Sequence, residues 1–406
     1  MTNNSSRPSR RAFLLGGAAG VGAAAAAGLF AGTQVPRHAA DSKPSSETEA
    51  PATVEFYGTH QPGIADATPT HAAFLAFDLG EGRDRKSLAE VFRKWTTLGA
   101  ALATGDTSED PSMISIGSEP EMFTLTVGIG GTGLDRLGIS RPAALVDLPT
   151  FPGDQLDDAI SHGDVFVQLC SNDAVYLSGA VRAVRSAAAE TLIPRWQLNG
   201  FRGVQASTAS TNGRNLMGQI DGTNNIAVSR VSDGAPLWVG SGEPSWMTGG
   251  SYIAIRRFRM LLSQWEGATA EARDRAVGRH IDTGAPLGGA AEFDPVDLEA
   301  MDGNGNFVIP EASHIRLAAA RHGAGEEMLR RSYSYTNGQF ASGEEDAGLI
   351  FVSYQHDPRT SFIPVQQRLA ESDAMARFTI ATSSALFAIL PGAAARGDWV
   401  GRALLG

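Results

Sequence analysis

Hydrophobic and polar positions alternate with two different periods in the first half of the chain, and these periods predict strands and helices. Nearly continuous apolar runs predict strands at HAAFLAFDL (His71 to Leu79), at FTLTVGI (Phe123 to Ile129) and at VFVQLC, which ends the segment Ala159 to Cys170. Helical spacing occurs in Ser87 to Leu102 and in the Ala-rich segment Asp173 to Leu192. The order strand, helix, strand, strand, helix predicts a ferredoxin-like α+β unit rather than a doubly wound one.

The second half repeats this rhythm. Ser251 to Gln264 has the pattern of a strand that runs into a helix, Glu266 to Arg279 and Ser361 to Ser372 have helical patterns, and Gly348 to Tyr354 is a strongly apolar strand. A second unit of the same kind is therefore predicted, although no repeat is visible in the sequence itself. The predicted organisation is a leader and linker over 1–50, an N-terminal ferredoxin-like domain over 51–212 and a C-terminal ferredoxin-like domain over 213–406.

Composition restricts the classes of function. The chain has 406 residues, of which 42% are hydrophobic and 19% charged, and this suits a globular protein of two domains. Its net charge of −11, with Lys and Arg scattered along the chain, makes nucleic acid an unfavourable partner. The single cysteine, Cys170, excludes an intramolecular disulfide and a multi-cysteine metal site, and its apolar surroundings are typical of a small buried side chain.

The N-terminus has the pattern of an export signal. Ser9-Arg10-Arg11-Ala12-Phe13-Leu14 is a twin-arginine motif, and a Gly/Ala-rich, weakly apolar run follows from Leu15 to Ala31. We therefore expect recognition by the twin-arginine translocase and an extracytoplasmic location; an uncleaved membrane anchor is the alternative. This export route carries folded proteins, which is most useful when a cofactor must be inserted before the chain crosses the membrane.

The stretch His314 to Tyr335, HIRLAAARHGAGEEMLRRSYSY, carries candidate chemistry. A histidine can be an axial ligand to haem iron and leaves the opposite face of the haem open. An arginine over that face, Arg330 or Arg331, could stabilise the charge that develops when the O–O bond of peroxide breaks. On pattern alone, a histidine near two arginines is more often a satisfied or solvated group.

Two other motifs favour simpler interpretations. Gly128-Ile129-Gly130-Gly131-Thr132-Gly133 matches the dinucleotide fingerprint, but the helix after it is short and no convincing strand precedes Asp147, the candidate ribose-binding acid. Asp302-Gly303-Asn304-Gly305-Asn306 lacks the glycine and the bidentate glutamate of a calcium loop, so a turn is the better interpretation.

The segment Gly218 to Asn225, GQIDGTNN, can be a plain turn, but it also contains G-x-x-D-G. This motif is the hallmark of the dye-decolorizing peroxidases, a haem family of two ferredoxin-like domains of the dimeric α+β barrel type, and the chain resembles that family over roughly residues 50 to 406. The other matching motifs follow the family's order: His162-Gly163-Asp164-Val165, His314 with Arg330-Arg331-Ser332-Tyr333, Gly348-Leu349-Ile350-Phe351, and Gln355-His356-Asp357-Pro358.

The resemblance implies one haem b per chain, bound mainly by the C-terminal domain. His314 resembles the proximal iron ligand, and Asp373 resembles the acid that accepts a hydrogen bond from its Nδ1, with Glu371 a near neighbour. Asp221 and Arg330 resemble the distal pair. The cofactor-binding residues implied by the matching motifs are Gly218, Gln219, Ile220, Gly222, Thr223, Arg331, Leu349 and Phe351.

Two details stay open. Arg331 would face a haem propionate or the protein, and the roles of the two arginines could be reversed. Ser332 stands where some members of the family carry Asn, so a distal hydrogen bond could differ here.

The activity implied is the oxidation of dyes, phenolics or other small-molecule reductants by hydrogen peroxide, in one-electron steps through an oxyferryl intermediate. Asp221 would relay a proton and Arg330 would stabilise negative charge. Because an ordinary Asp titrates near ~3.9 and a His near ~6.5, a carboxylate relay predicts an acidic optimum. Leu349 and Phe351 would restrict the distal pocket to small ligands.

Bulky dyes would then need electron transfer through aromatic residues, and the candidates are Tyr333, Tyr335, Tyr354 and Trp265. Two other functions remain as alternatives to the peroxidase. One is a haem-handling protein of the deferrochelatase type, which would serve iron uptake, and the other is a dinucleotide binder. The family also suggests a homodimer or a larger homo-oligomer.

Overall fold

The computed structural model describes residues 53–106, 120–203, 205–207, 210–226, 231, 236–321 and 326–406. The predicted leader and linker over 1–50, including the twin-arginine motif, lie outside the described residues. Ala50–Gly406 forms one compact unit. No helix in the described part of the chain has the length and apolarity needed to cross a membrane.

The N-terminal half has the predicted ferredoxin-like arrangement. Its strands are antiparallel and lie in the order β2-β3-β1-β4 across the sheet. The elements in chain order are β1 (His71–Leu79), α1 (Arg85–Thr104), β2 (Thr124–Gly130), α2 (Gly131–Arg136), β3 (Val165–Ser171), α3 (Ala174–Ala188) and β4 (Leu192–Phe201). A small separate sheet follows, formed by β5 (Gln205–Ser207) and β6 (Ser210–Gly213).

The C-terminal half repeats the arrangement, with the strand order β11-β7-β10-β9 and a short strand, β8, beside β10. Its elements are β7 (Ser251–Met260), α4 (Leu262–Gly267), α5 (Ala270–Val277), α6 (His314–Ala318), β8 (Leu329–Arg330), β9 (Tyr333–Gln339), β10 (Glu345–Gln355), α7 (Phe362–Ser372), β11 (Thr379–Ile389) and α8 (Arg402–Leu405). The predicted fold class, α+β with two ferredoxin-like halves, is confirmed.

The two halves share one sheet. β11 pairs with β2, where Phe387 lies opposite Gly130, and β4 pairs with β9, where Phe201 lies opposite Ser334. Because β7 also pairs with β10, eight strands form a closed ring. The predicted boundary at 212/213 therefore separates two sets of strands within one unit, and as a domain boundary it stays a prediction.

Side chains fill the inside of the ring, as the width of an eight-stranded closed sheet allows. The inner cluster includes Phe74, Phe166, Tyr333, Tyr354 and Phe387, all at most 1% exposed. The helices cover the outside, and α1 and α3 are joined by the Trp95 indole, which donates to the Val184 carbonyl at 2.9 Å. Two candidate site residues of the C-terminal half, Leu349 and Phe351, pack on the outer side of the ring.

The structure corrects the predicted bounds of two helices. The segment Glu266 to Arg279, predicted as one helix, holds the end of α4 and the whole of α5, with a break at Ala268 and Thr269. The segment Asp173 to Leu192 was expected to be helical throughout, but α3 ends at Ala188 and Leu192 begins β4. Asp173 caps α3 by accepting hydrogen bonds from the Val175 and Tyr176 amides. A fourth strand is what completes the ferredoxin-like half.

Candidate functional site

His314 is the first residue of α6, and a buried carboxylate fixes its ring. Its Nδ1 donates to Asp373 Oδ2 at 2.7 Å, and the Asp373 side chain is only 6% exposed. The second carboxylate oxygen accepts from the Met375 amide at 2.8 Å, so Asp373 itself is held in place. Glu371 instead accepts from Gln367 at 2.6 Å. The structure therefore brings Asp373 to His314, and not Glu371.

Two other predicted site residues, Arg330 and Asp221, influence the pKa of His314. Burial acts to lower the pKa of the His314 ring, but the Asp373 carboxylate outweighs burial and the net pKa is raised. Arg330 lowers the same pKa and Asp221 raises it. Asp221 and Arg330 are thus both close enough to His314 to act on its charge.

Asp221 lies in a loop that its neighbours fix through backbone and side-chain hydrogen bonds. The Asp221 amide donates to the Gly213 carbonyl at 3.0 Å, and Asn215 Nδ2 approaches Asp221 Oδ2 at 3.4 Å. Gly222 has a φ of +114°, and a Cβ there would lie 2.9 Å from Asn212 Oδ1. The last glycine of the G-x-x-D-G motif is therefore required by the turn that presents Asp221.

Arg330 ends β8 and is attached to the segment that follows the motif. Its amide donates to Asn225 Oδ1 at 2.9 Å, and its carbonyl accepts from Asn225 Nδ2 at 2.7 Å. Its guanidinium donates through Nη2 to the Asn224 carbonyl at 2.8 Å. These contacts join two segments more than a hundred residues apart, and they bring Arg330 to the loop that carries Asp221.

Arg331 points the other way, because neighbouring residues of a strand face opposite sides of a sheet. It is 1% exposed, and its Nη1 donates to the carbonyls of Ile64, at 3.2 Å, and Asp66. Its charge acts on Cys170 and Tyr354 inside the ring. Of its two predicted surroundings, haem propionate or protein, the structure places Arg331 in the protein interior.

Leu349 and Phe351 lie on the outer side of β10. Phe351 packs on Phe362 of α7, with ring centroids 5.9 Å apart, and on Phe258 of β7 at 6.5 Å. Leu349 packs on an apolar cluster that includes Trp265. Both side chains share the face of β10 that lies beside Arg330, since Arg330 pairs with Ser353.

A buried carboxylate that the sequence did not single out supports the same loop. Glu292 is 6% exposed, and its Oε1 accepts from the Thr223 hydroxyl at 2.8 Å and from Asn212 Nδ2 at 3.0 Å. Arg279 donates to the Glu292 carbonyl at 2.9 Å. Burial lowers the pKa of Arg279, Glu292 raises it and Arg330 lowers it, so the charge of Arg330 reaches this cluster.

The other residues of the G-x-x-D-G motif contact the chain around the Asp221 loop. Gln219 is 6% exposed, and its Nε2 has no hydrogen-bond partner in the part of the chain that is described. The Ile220 side chain lies beside Gly284. Arg214 donates to the Gly218 carbonyl, which fixes the start of the motif. No motif in the sequence indicated Arg214, Arg279 or Glu292, and the side-chain contacts of Glu292 with Thr223 and Asn212 span 69 and 80 residues.

The alternative motifs have structural explanations. A Cβ on Gly130 would lie 2.0 Å from the Gly163 carbonyl oxygen, and one on Gly133 would lie 2.3 Å from that of Asp164. These glycines therefore allow close backbone packing. Asp302 accepts from the Asn304 and Asn306 amides, at 2.8 and 2.9 Å, as in a turn.

The aromatic residues considered for electron transfer are all buried. Tyr333 and Tyr335 are 1% exposed, Tyr354 is 0% exposed and Trp265 is 1% exposed. None of the four can contact a dye at the surface as they stand.

The donor set suits a haem iron better than a bare metal ion. No cluster of three or more His, Cys, Asp or Glu that could hold an ion occurs among the described residues. His314 is a single nitrogen donor, its Nδ1 is used by Asp373, and its Nε2 makes no hydrogen bond to a described residue. One such imidazole, with a carboxylate and a guanidinium that both act on its charge, matches the needs of a haem that activates peroxide.

Two family models match consecutive parts of the chain. The model described as Dyp-type peroxidase, N-terminal, matches residues 61–202, and the one described as Dyp-type peroxidase, C-terminal, matches residues 212–394. The chain is similar to a dye-decolorizing peroxidase of Thermobifida fusca, 39% identical over 98% of this chain and 97% of the relative. It is also similar to a deferrochelatase of Shigella flexneri, 34% identical over 99% and 98%.

Solved structures give the same result. An oxyferrous/water mixed complex of DtpA from Streptomyces lividans has a TM-score of 0.83 at 38% identity and covers 87% of this chain and 98% of that one. A DyP-type peroxidase from Cellulomonas bogoriensis has a TM-score of 0.82 at 38% identity, with coverage of 87% and 98%. The resemblance indicated by the sequence motifs is confirmed.

Proposed function

The chain belongs to the dye-decolorizing (Dyp-type) peroxidase family and is a haem-dependent peroxidase, and from this premise we propose that it uses hydrogen peroxide to oxidise dyes, phenolics or similar small reductants. Each hydrogen peroxide takes up two electrons and two protons and gives two waters, so two one-electron donors are consumed. The observation that carries the proposal is that Asp221 and Arg330 both act on the charge of His314, whose ring Asp373 holds; the three residues would supply a proton carrier, a fixed positive charge and an iron ligand.

We propose that His314 binds the haem iron through Nε2, since Nδ1 is engaged by Asp373. The buried Asp373 carboxylate orients the imidazole and increases its electron donation. Bound haem supplies the redox chemistry, in which iron and porphyrin accept the two oxidising equivalents of peroxide. Leu349 and Phe351 would form the wall of the peroxide side, because they share the outer face of β10 with the position of Arg330.

The remaining chemistry is proton movement and charge stabilisation. The proton on the inner oxygen of peroxide must reach the outer oxygen before that oxygen can leave as water. Asp221 is the residue proposed to carry it, directly or through one water. Arg330 is the residue proposed to favour the departing oxygen by its fixed charge, and its attachment to Asn224 and Asn225 limits its movement.

The experiment follows the Soret band of the haem-loaded protein after one equivalent of hydrogen peroxide. We expect a rapid spectral change in the wild type, and a rate lower by about 10²- to 10⁴-fold in Asp221→Asn and Arg330→Ala. His314→Ala should lose the haem or change its ferric spectrum. A haem spectrum that survives His314→Ala unchanged, or a peroxide reaction that ignores Asp221 and Arg330, would contradict the proposed roles.

A deferrochelatase activity is the second candidate, and the relatives that carry this name favour it. Such a protein would release iron from haem and leave the porphyrin intact. Anaerobic incubation of the haem-loaded protein with a ferrous chelator distinguishes the two, because free porphyrin has its own fluorescence. Porphyrin that accumulates without peroxide turnover would favour the second candidate over the first.

We further propose export by the twin-arginine route, with Ser9 to Leu14 as the signal, and assembly as a homodimer or larger homo-oligomer. The support for export is the motif itself, and the support for assembly is family resemblance. A fusion of residues 1–50 to a reporter tests export, with Arg10→Lys and Arg11→Lys together as the control. Light scattering on the haem-loaded protein measures its mass in solution.

A further inference from the structure

A cleft of about 490 Å³ opens beside the segments that hold His314 and Asp373. One wall is a face of α5 that presents Glu271, Arg275 and Ala276. The opposite wall is formed by the residues just before α6 and just after α7. This volume lies within the range of about 300–1,000 Å³ that is usual for small-molecule sites in proteins.

The wall opposite α5 is the backbone that leads directly to the histidine–carboxylate pair. Ala312 and Ala374 both line the cleft, and the Ala374 amide donates to the Ala312 carbonyl at 2.8 Å. Ala312 is two residues before His314, and Ala374 immediately follows Asp373. A molecule in the cleft would therefore lie against the chain segments that support the proposed iron ligand.

The lining combines small apolar side chains with two guanidinium groups, those of Arg275 and Arg377. Arg377 lies over the Phe378 ring at 4.6 Å, and the charge of Arg275 acts on Asp302 from a distance. Among the described residues, neither arginine has a hydrogen bond or an ion pair. Glu271 is the one carboxylate in the lining, so the cleft carries a net positive charge.

This chemistry selects a class of ligand. A planar guanidinium binds a carboxylate or sulfonate through two parallel hydrogen bonds, and it also stacks on aromatic rings. The alanine and proline surfaces between the two arginines suit the ring of such a molecule. We propose that this cleft binds a small aromatic anion, a carboxylate or sulfonate, as the one-electron reductant of the enzyme.

This inference rests on the proposed peroxidase function and adds a place for the reductant. Leu349 and Phe351 would restrict access to the peroxide side, and the four candidate aromatic residues are buried, so a larger donor needs another point of contact. Two bound anions in succession would each lose one electron and leave as radicals. Those two electrons, with two protons from solvent, reduce one hydrogen peroxide to two waters.

Binding is tested without turnover, by equilibrium dialysis of the aromatic disulfonate ABTS against the haem-loaded protein in the absence of peroxide. We expect saturable binding that weakens with salt, and a dissociation constant about tenfold higher in Arg275→Gln/Arg377→Gln. Arg182→Gln, an exposed arginine on α3, is the matched control for loss of charge. Equal binding in the double variant and the wild type, or an equal loss in the control, would overturn the proposal.

Turnover supplies a second readout. In the double variant, the KM for ABTS should rise by about tenfold and by more than the KM for guaiacol, a neutral phenol. Arg275→Lys/Arg377→Lys keeps the charge without the planar fork, and should be intermediate. A KM that rises equally for ABTS and guaiacol would overturn the proposal. Absence of any spectral response to peroxide in the wild type would instead reject the proposed function, while ABTS binding by dialysis is measured independently.

Discussion

The side chain of Asn225 makes hydrogen bonds to both the amide and the carbonyl of Arg330, at 2.9 and 2.7 Å. The Asn225 amide group thus bonds Arg330 as the backbone of a neighbouring strand would, by accepting from its N–H and donating to its carbonyl. It attaches β8 to the segment after the G-x-x-D-G motif. The chain segments that carry Asp221 and Arg330 are therefore hydrogen-bonded to each other.

Replacing Asn225 tests this connection. Asn225→Ala should lower the free energy of unfolding by about 2 kcal/mol, because two backbone groups of Arg330 lose their partner. It should also slow the reaction with peroxide by about tenfold, since Arg330 would be less well positioned. Asn225→Asp keeps the acceptor for the Arg330 amide, so its stability and its peroxide rate should both lie between those of the wild type and Asn225→Ala. Denaturant unfolding and stopped-flow absorbance measure the two effects, and a destabilised variant with an unchanged peroxide rate would contradict the positioning role.

The carboxylate behind His314 should control haem binding. Asp373→Asn still offers an oxygen to Nδ1 but removes the charge, and we expect haem affinity to fall by about 10- to 100-fold. Glu371→Gln is the matched control, because that carboxylate is two residues away and bonds Gln367 instead. Transfer of haem to excess apomyoglobin measures the affinity. Equal haem loss from both variants would mean that the charge of Asp373 has no specific role.

Glu292 should position the loop that carries Asp221. In Glu292→Gln, the amide oxygen can still accept from both Thr223 and Asn212, which bond the same oxygen of Glu292, but Arg279 loses its neighbouring negative charge. Removing the negative charge beside the buried Arg279 guanidinium is expected to cost about 3 kcal/mol of unfolding free energy. The peroxide rate should fall as well, and the double variant Glu292→Gln/Arg279→Gln should recover part of the stability. Additive losses in the double variant would show that the two charges are not coupled.

The strands and helices that the sequence predicted correctly are those with a clear apolar run or a clear helical period. β1 was predicted with its observed bounds, and α7 within one residue. β4 was missed because LIPRWQLNGF contains Pro194 and an Asn-Gly pair, which argue against a strand. In the structure, Pro194 pairs with Phe77 where the β1–β4 register shifts, so the missing amide hydrogen falls at an irregularity.

The residues of the candidate site also divide into those that the sequence indicated and those that it could not. Asp221, His314, Arg330 and Asp373 could be picked out because each lies in or near a short motif, and the structure brings them together. The contacts of Asn225 and Glu292 could not be predicted, because they span 105 and 69 residues and depend on the closed sheet. Local sequence specifies reactive residue types, whereas long-range packing specifies which polar side chains support them.

The buried phenols give the protein a predicted weakness at alkaline pH. Burial raises the pKa of Tyr252, Tyr333, Tyr335 and Tyr354, and it raises the pKa of the Cys170 thiol inside the ring. Each of these groups stays protonated in the folded chain at a pH where the unfolded chain has lost the proton. Their contribution to stability is complete below the unfolded pKa values, about 8.5 for Cys and about 10 for Tyr, and falls as the pH rises above them.

We therefore expect the unfolding free energy to decrease steeply between about pH 9 and pH 11. Absorbance at 295 nm, which reports ionised tyrosine, should rise together with the loss of circular dichroism rather than before it. Tyr333→Phe removes one titrating group from the ring interior and should reduce the steepness of the decrease. Ionisation of Tyr333, Tyr335 and Tyr354 well before unfolding, seen as a separate early rise at 295 nm, would mean that the interior of the closed sheet admits solvent.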